Sequence, residues 1–187
     1  MRAIIRRRAN VVFGNEYGEL FNDEVISPAG TPGHYLRWRW SAAGVVAVPV
    51  DGERVALVPA YRYPAGDVFL ELPRGAAEDG EPVEDAAMRE MAEEAGLTGG
   101  TPRILGVIYP DTGLIETGVT VVRIDVDPRE TGNAAGRPAA PEAMESIGAP
   151  RWFGEGEARD AIVAGEIRCG VTLAALTLHW ASRGRPA

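Results

Sequence analysis

Residues 71–97 read ELPRGAAEDGEPVEDAAMREMAEEAGL. Pro82 suits the first position of a helix and Gly96 a left-handed stop, so the stretch predicts a helix over residues 82–95. From Glu71 to Glu94 there are nine acidic residues against two Arg. A run of charge is ordinarily a solvated helical face. The spacing here points elsewhere: Glu90 and Glu94 are four apart and share one face, with Glu93 close beside them. Like charges stacked at that spacing cost stability unless a cation offsets them. Arg89 reaches Glu93 across one turn but cannot neutralise the whole set. Three carboxylates on one helix, preceded by a Gly-bearing loop with carbonyls to offer, predict a site for a hard divalent cation.

The rest of the chain narrows that chemistry. Its 187 residues fit one domain with an elaborated edge. A net charge of −8 argues against a general nucleic-acid binder. All 19 basic residues are Arg, which excludes Schiff-base chemistry and the lysine of a Walker loop. Cys169, His34 and His179 are too few for a zinc site, leaving carboxylates and carbonyls, which suit Mg²⁺, Mn²⁺ or Ca²⁺. One cysteine forms no intrachain disulfide and predicts a reducing compartment, the cytoplasm. No apolar run is long enough for a membrane span, and the first residues lack the apolar stretch of a signal peptide.

On the N-terminal side of the helix, residues 3–13, 19–26 and 34–40 read as strands, with a Pro- and Gly-rich turn over 27–33. Residues 45–50 and 55–60 flank Asp51-Gly52, a hairpin signal, and 68–72 is a short strand. On the C-terminal side, 104–109 and 117–126 are strands, and 127–150 is a long loop rich in Gly, Pro and Ala. Residues 151–153 read as a last strand, and 155–164 and 171–182 as helices. Strands with interspersed helices, without regular βαβ alternation, predict a mixed α/β or α+β fold.

Gly75, Glu81 and the run from Arg89 to Leu97 match every position of the pattern G-x5-E-x7-R-E-U-x-E-E-x-G-U, where U is a bulky aliphatic residue. On these residues the chain resembles the Nudix hydrolase family. The resemblance implies an α/β/α sandwich around a mixed sheet, and hydrolysis of a nucleoside diphosphate linked to another moiety. It implies Glu90 and Glu94 as the main metal ligands, Glu93 as a further ligand or water-mediated contact, and the carbonyl of Arg74 as a backbone ligand. Mg²⁺ is the implied ion, with Mn²⁺ as a substitute. Glu81 and Arg89 are expected to tie loop to helix, and Gly75 and Gly96 to serve backbone geometry.

Within the family, residues 60–75, AYRYPAGDVFLELPRG, resemble the ADP-ribose pyrophosphatase branch, as do 27–38 and 165–176. Residues 109–117, YPDTGLIET, resemble that branch's loop after the box and make Glu116 the candidate catalytic base, free to swing toward a metal-bound water. Glu142 and Glu145 are alternatives for that job. Arg62 is the candidate phosphate or ribose contact, and Glu71 a more distant metal or water contact. Arg37-Trp38-Arg39-Trp40 alternates on a strand, so Trp38 or Trp40 is placed to stack on adenine with Arg39 near phosphate, or else to form an aromatic core face. The resemblance also implies that residues 1–40 form an antiparallel β extension joining two copies into a homodimer, with 41–187 as the hydrolase domain. The function expected is Mg²⁺-dependent cleavage of ADP-ribose or a related nucleoside diphosphate sugar into a nucleoside monophosphate and a sugar phosphate, with no nucleic-acid or membrane partner. The alternatives are a Nudix hydrolase of another nucleotide, such as a nucleoside triphosphate, and a noncatalytic module that senses ADP-ribose.

Overall fold

The computed structural model of the chain describes residues 2–126 and 146–183. Two sheets organise it. The first holds β1 (Ile5–Arg8), β2 (Val11–Asn15), β3 (Gly18–Ile26) and β4 (Pro32–Trp40). β3 is its spine: β4 runs antiparallel along one side from Gly18↔Trp40 to Ile26↔Pro32, and β1 and β2 share the other side. The single strand expected over 3–13 is thus two strands. The break falls at Asn10, whose N–H donates to the Asp23 carboxylate at 3.3 Å instead of continuing the ladder. Asp23 is 3% exposed, the buried charge of this sheet.

The second sheet is mixed and has seven strands. They are β5 (Gly44–Asp51), β6 (Arg54–Arg62), β7 (Asp67–Glu71), β8 (Arg74–Ala76), β9 (Thr101–Ile108), β10 (Val119–Asp125) and β11 (Arg151–Phe153). Its main order is β11-β6-β5-β10-β9, with β7 on β6 and β8 on β5. β10 runs parallel to β5 and antiparallel to β9. Among the described residues, three helices cover it: α1 (Val83–Ala95), α2 (Glu155–Val163) and α3 (Gly170–Ser182).

The core follows from the period of two in β5. Val45 and Ala47 point to α1, where they pack with Ala86, Ala87 and Met91. Val46, Val48 and Val50 point the other way, to Ala158 of α2 and Leu176 of α3. Both faces of β5 are therefore apolar and buried, as expected for a strand between two helical layers. This is the α/β/α sandwich expected from the sequence. Small residues on α1 let its axis approach the sheet, and burying Met91 alone contributes about 1.5–3 kcal/mol.

α1 begins one residue later than expected. Pro82 is extended (φ −59°, ψ 142°) and caps the helix from outside, its carbonyl accepting the Ala86 N–H at 3.0 Å. Gly96 ends the helix in the left-handed conformation, φ 65°, with its N–H on Ala92 O. Residues 127–145, most of the expected long loop, lie outside the described residues, and Glu142 and Glu145 with them. The last part of that loop is tied down: Tyr61 N–H donates to Ser146 O at 2.9 Å and Gly148 N–H to Pro59 O at 2.8 Å. No described helix is long and apolar enough to cross a membrane.

Candidate functional site

α1 presents its acidic face toward β8 and the loop that follows it. Arg89 gathers this region. Its Nε and Nη2 donate to the two Glu81 oxygens at 3.1 and 3.0 Å, its Nη1 to Glu90 at 2.9 Å and Glu93 at 3.1 Å, and its Nη2 to Ala76 O at 2.8 Å. Glu81 also accepts the Glu78 N–H at 2.8 Å. The Arg89 hydrogen bond, helped by that N–H, holds the Glu81 carboxyl below the usual carboxylate range. The expected tie between loop and helix is present.

Glu90 and Glu94 are 8% and 2% exposed. Gly75 explains how Glu90 fits. A Cβ on Gly75 would lie 2.1 Å from Glu90 Oε1, so the missing side chain is the space the carboxylate occupies. This corrects the expectation that Gly75 serves backbone geometry, because its φ is not left-handed. Next to it, the Arg74 N–H donates to Glu94 Oε2 at 3.0 Å. Glu93 is different: its side chain is 44% exposed and faces Arg89. Among the described residues, no three acidic, imidazole or thiol groups converge on one point. A divalent cation nevertheless fits this donor set. The buried Glu90 and Glu94 carboxylates supply hard oxygen atoms, the donor type that a divalent cation takes.

A cleft of about 520 Å³ opens between the two sheets. Tyr17 and Trp40 line one part, Arg62 and Arg74 another, and Gly75 and Ile115 also contribute. Of the residues expected to meet substrate, Trp40 and Arg62 are in this lining, whereas Trp38, Arg39 and Glu116 are not. The alternation on β4 holds. Trp38 and Trp40 meet edge to face with centroids 5.3 Å apart. Arg37 and Arg39 lie on the opposite side, over the Phe21 ring at 3.7 and 5.1 Å. Arg39 pairs with Glu19. Trp38 is half-buried and packs close enough on Gly18 that a Cβ there would meet its ring at 2.7 Å.

The loop carrying Glu116 is stitched to β4. Trp38 N–H donates to Leu114 O, and Glu116 N–H to Trp38 O, both at 2.8 Å. Trp40 N–H donates to Thr117 Oγ1 at 3.1 Å. The Glu116 carboxylate pairs with Arg37, whose Nε donates to Asp23 at 2.7 Å. Glu116 is therefore held on the first sheet rather than standing on a free loop. Glu71 is 1% exposed and takes Arg62 and Arg74 on one oxygen. Sequence reasoning missed Tyr17, Asp23 and Arg37. No signal in β3 singled out Asp23, which lies between Asn22 and Glu24 on a strand without clean apolar alternation.

The chain matches the NUDIX domain model over residues 38–169. It is 36% identical over 118 residues to an ADP-sugar pyrophosphatase of Mus musculus, covering 59% of this chain and 54% of that protein. It is 31% identical over 75 residues to an ADP-ribose pyrophosphatase of Saccharomyces cerevisiae, covering 40% of this chain and 32% of that protein. An ADP-ribose pyrophosphatase of Bacillus subtilis is 26% identical over 105 residues, covering 56% of this chain and 57% of that protein. The chain thus spans about half the length of the mouse relative. A crystal structure of an ADP compounds hydrolase superposes with a TM-score of 0.79, covering 100% of this chain and 98% of that one at 17% identity, a likeness of fold.

Proposed function

The chain belongs to the Nudix family, and from that premise we propose that it hydrolyses the pyrophosphate bond of ADP-ribose or a related nucleoside diphosphate sugar, releasing a nucleoside monophosphate and a sugar phosphate. The observation that carries this reading is the lining of the cleft: aromatic rings of Tyr17 and Trp40, guanidinia of Arg62 and Arg74, and Gly75 against the buried Glu90 carboxylate. A ring, an anion and a cation site in one cleft suit a nucleotide with a diphosphate. Relatives named for ADP-sugar and ADP-ribose pyrophosphatase activity support the same substrate class.

The chain's own residues divide the work. Trp40 offers a face to adenine. Arg62 donates to phosphate oxygens, a geometry that its fork matches. Glu90, Glu94, Glu93 and the Arg74 carbonyl would hold the divalent ion, Mg²⁺ with Mn²⁺ as a substitute. That ion, when bound, offsets phosphate charge and makes a coordinated water more acidic. Glu116 is our assignment for the group that accepts the proton from the attacking water, with Glu93 as the helix-borne alternative. Each is held at rest by a guanidinium, Arg37 or Arg89, and has to leave it to act.

We further propose that residues 1–40 are an extension that joins two copies, with 41–187 as the hydrolase domain. Phe13, Ile5 and Leu36 are 54%, 57% and 48% exposed on the first sheet, more apolar surface than a sheet edge ordinarily leaves to water. The single cysteine supports a reducing compartment, the cytoplasm, and the net charge of −8 argues against a nucleic-acid partner. The test is product analysis on a panel of nucleotides with and without Mg²⁺. AMP and ribose 5-phosphate from ADP-ribose are expected. Pyrophosphate or free phosphate from a nucleoside triphosphate as the dominant product would move the protein to another substrate class.

A further inference from the structure

The link between β7 and β8 is short: Leu72 and Pro73 join Glu71 to Arg74. Its backbone is pinned to three different elements. Leu72 N–H donates to the Thr172 hydroxyl oxygen on α3 at 3.1 Å. Pro73 O accepts the Ala47 N–H of β5 at 2.8 Å. Proline has no N–H, so the next donor is that of Arg74, which reaches Glu94 Oε2 on α1 at 3.0 Å. Leu72 and Thr172 are both fully buried, where an N–H without an acceptor is costly. Thr172 also stands apart on its own helix. A threonine inside a helix ordinarily turns its hydroxyl back to the carbonyl four residues earlier. Thr177 does this: it is exposed and donates to Leu173 O at 2.7 Å. Thr172 instead lies on the buried face of α3, with Ala175 and Leu176, and its oxygen receives an N–H from 100 residues away in sequence.

We propose that Thr172 is a positioning residue for the cation site: its hydroxyl fixes the Leu72–Arg74 backbone, and through it the Arg74 carbonyl and the Arg74 N–H that orients Glu94. The proposal rests on the reading above, in which Glu94 and the Arg74 carbonyl hold the divalent ion. α3 carries none of those ligands, yet it sets where two of them sit. Without the hydroxyl, the Leu72 N–H is buried with no acceptor, and the link has to shift to find one. Pro73, with its fixed φ, passes that shift on to Arg74. Groups that orient metal ligands from behind typically govern affinity by about 10- to 100-fold.

The test is titration of the whole chain with Mn²⁺ alone, the free ion being read by electron paramagnetic resonance. Thr172→Val keeps the shape and loses the hydroxyl, and is expected to weaken Mn²⁺ binding roughly 10-fold. Thr172→Ser keeps the hydroxyl and is expected to stay within about threefold of wild type. Thr177→Val removes a hydroxyl from the exposed side of the same helix and is expected to stay within about twofold. Wild-type affinity in Thr172→Val overturns the proposal. So does an equal loss in the Ser and Val variants, which would make the methyl group, not the hydroxyl, the part that matters. A loss in Thr177→Val as large as in Thr172→Val overturns it too. If circular dichroism shows that Thr172→Val does not fold, Thr172→Ala takes its place, and equal affinity in the Ala and Ser variants overturns the proposal. Wild type that binds no Mn²⁺ overturns it together with the cation site. The expected pattern in a chain that leaves ADP-ribose intact with Mg²⁺ sustains the role of Thr172 and contradicts the proposed function. Hydrolysis of ADP-ribose by wild type, with equal Mn²⁺ affinity across the variants, does the reverse.

Discussion

Arg89 on α1 and Arg37 on β4 each hold several acidic groups, and each holds one of the carboxylates assigned here to proton transfer. Arg89 collects Glu81, Glu90 and Glu93, all within eight residues of itself, in a half-open setting. Arg37 collects Asp23 and Glu116, which are 14 and 79 residues away, with its own side chain 13% exposed. The first hub is local and half-open, the second long-range and driest at the Arg37–Asp23 pair. The difference teaches where charge acts on chemistry and where it acts on assembly. Arg89 shapes the acidic helix, whereas Arg37 joins the β3–β4 sheet to the loop whose Pro110 and Ile115 line the cleft.

The largest effect is expected at the buried pair on the helix. Glu94→Gln and Glu90→Gln each remove a charge at near-constant shape, and each should lower turnover by roughly 10³-fold or more while the fold is kept. A wild-type rate at limiting Mg²⁺ in either variant would contradict the role given to α1. Next comes Glu116→Gln, for which the rate at saturating substrate should fall roughly 10²–10⁴-fold with little change in KM. An effect on KM alone would make Glu116 a substrate-positioning residue held by Arg37. No effect would direct the search to Glu93, then to Glu142 and Glu145.

The two hubs themselves are compared by removing each guanidinium. Arg37→Met leaves Asp23 buried without its main partner, and chemical denaturation should show a loss of about 3–5 kcal/mol. Arg89→Met takes the guanidinium from Glu81 and Glu93, which water can reach, and from the buried Glu90, and a loss of about 1–3 kcal/mol, smaller than at Arg37, is expected. Equal losses would erase the distinction between the two hubs. Acid sharpens it. Burial raises the Asp23 carboxyl, but the Arg37 hydrogen bond and charge outweigh it, so its pKa lies below the usual value. Stability from Asp23 is therefore complete above the unfolded value, near 4, and lost as pH falls through the lower folded one. Asp23→Asn should flatten the stability curve in that acid window, which a denaturation series from pH 5 to pH 2 would reveal.

The difference between the hubs is also the difference between what the sequence discloses and what it does not. That Arg89, Glu90, Glu93 and Glu94 sit on one helix, with Arg89 reaching Glu93 across a turn, is legible from spacing, because a helix converts sequence separation directly into position. The β5–β6 hairpin and the stop at Gly96 are legible for the same local reason. Arg37 with Glu116 is not, because their meeting depends on strand register and on the bridge from Trp38 to Ile115. Gly75 is visible as a motif position, but its steric reason appears only when Glu90 lies against it. The smallest predicted effect follows from that limit. Trp40 and Trp38 look equivalent in sequence, yet only Trp40 lines the cleft. Trp40→Ala should raise KM for ADP-ribose about 3- to 10-fold, whereas Trp38→Ala should lower thermal stability with KM unchanged.

The most direct test of the whole account is chromatographic analysis of ADP-ribose incubated with Mg²⁺ and either wild type or Glu94→Gln. The account predicts equimolar AMP and ribose 5-phosphate from wild type and none above background from the variant. Intact ADP-ribose with wild type, or equal product from both proteins, would contradict it.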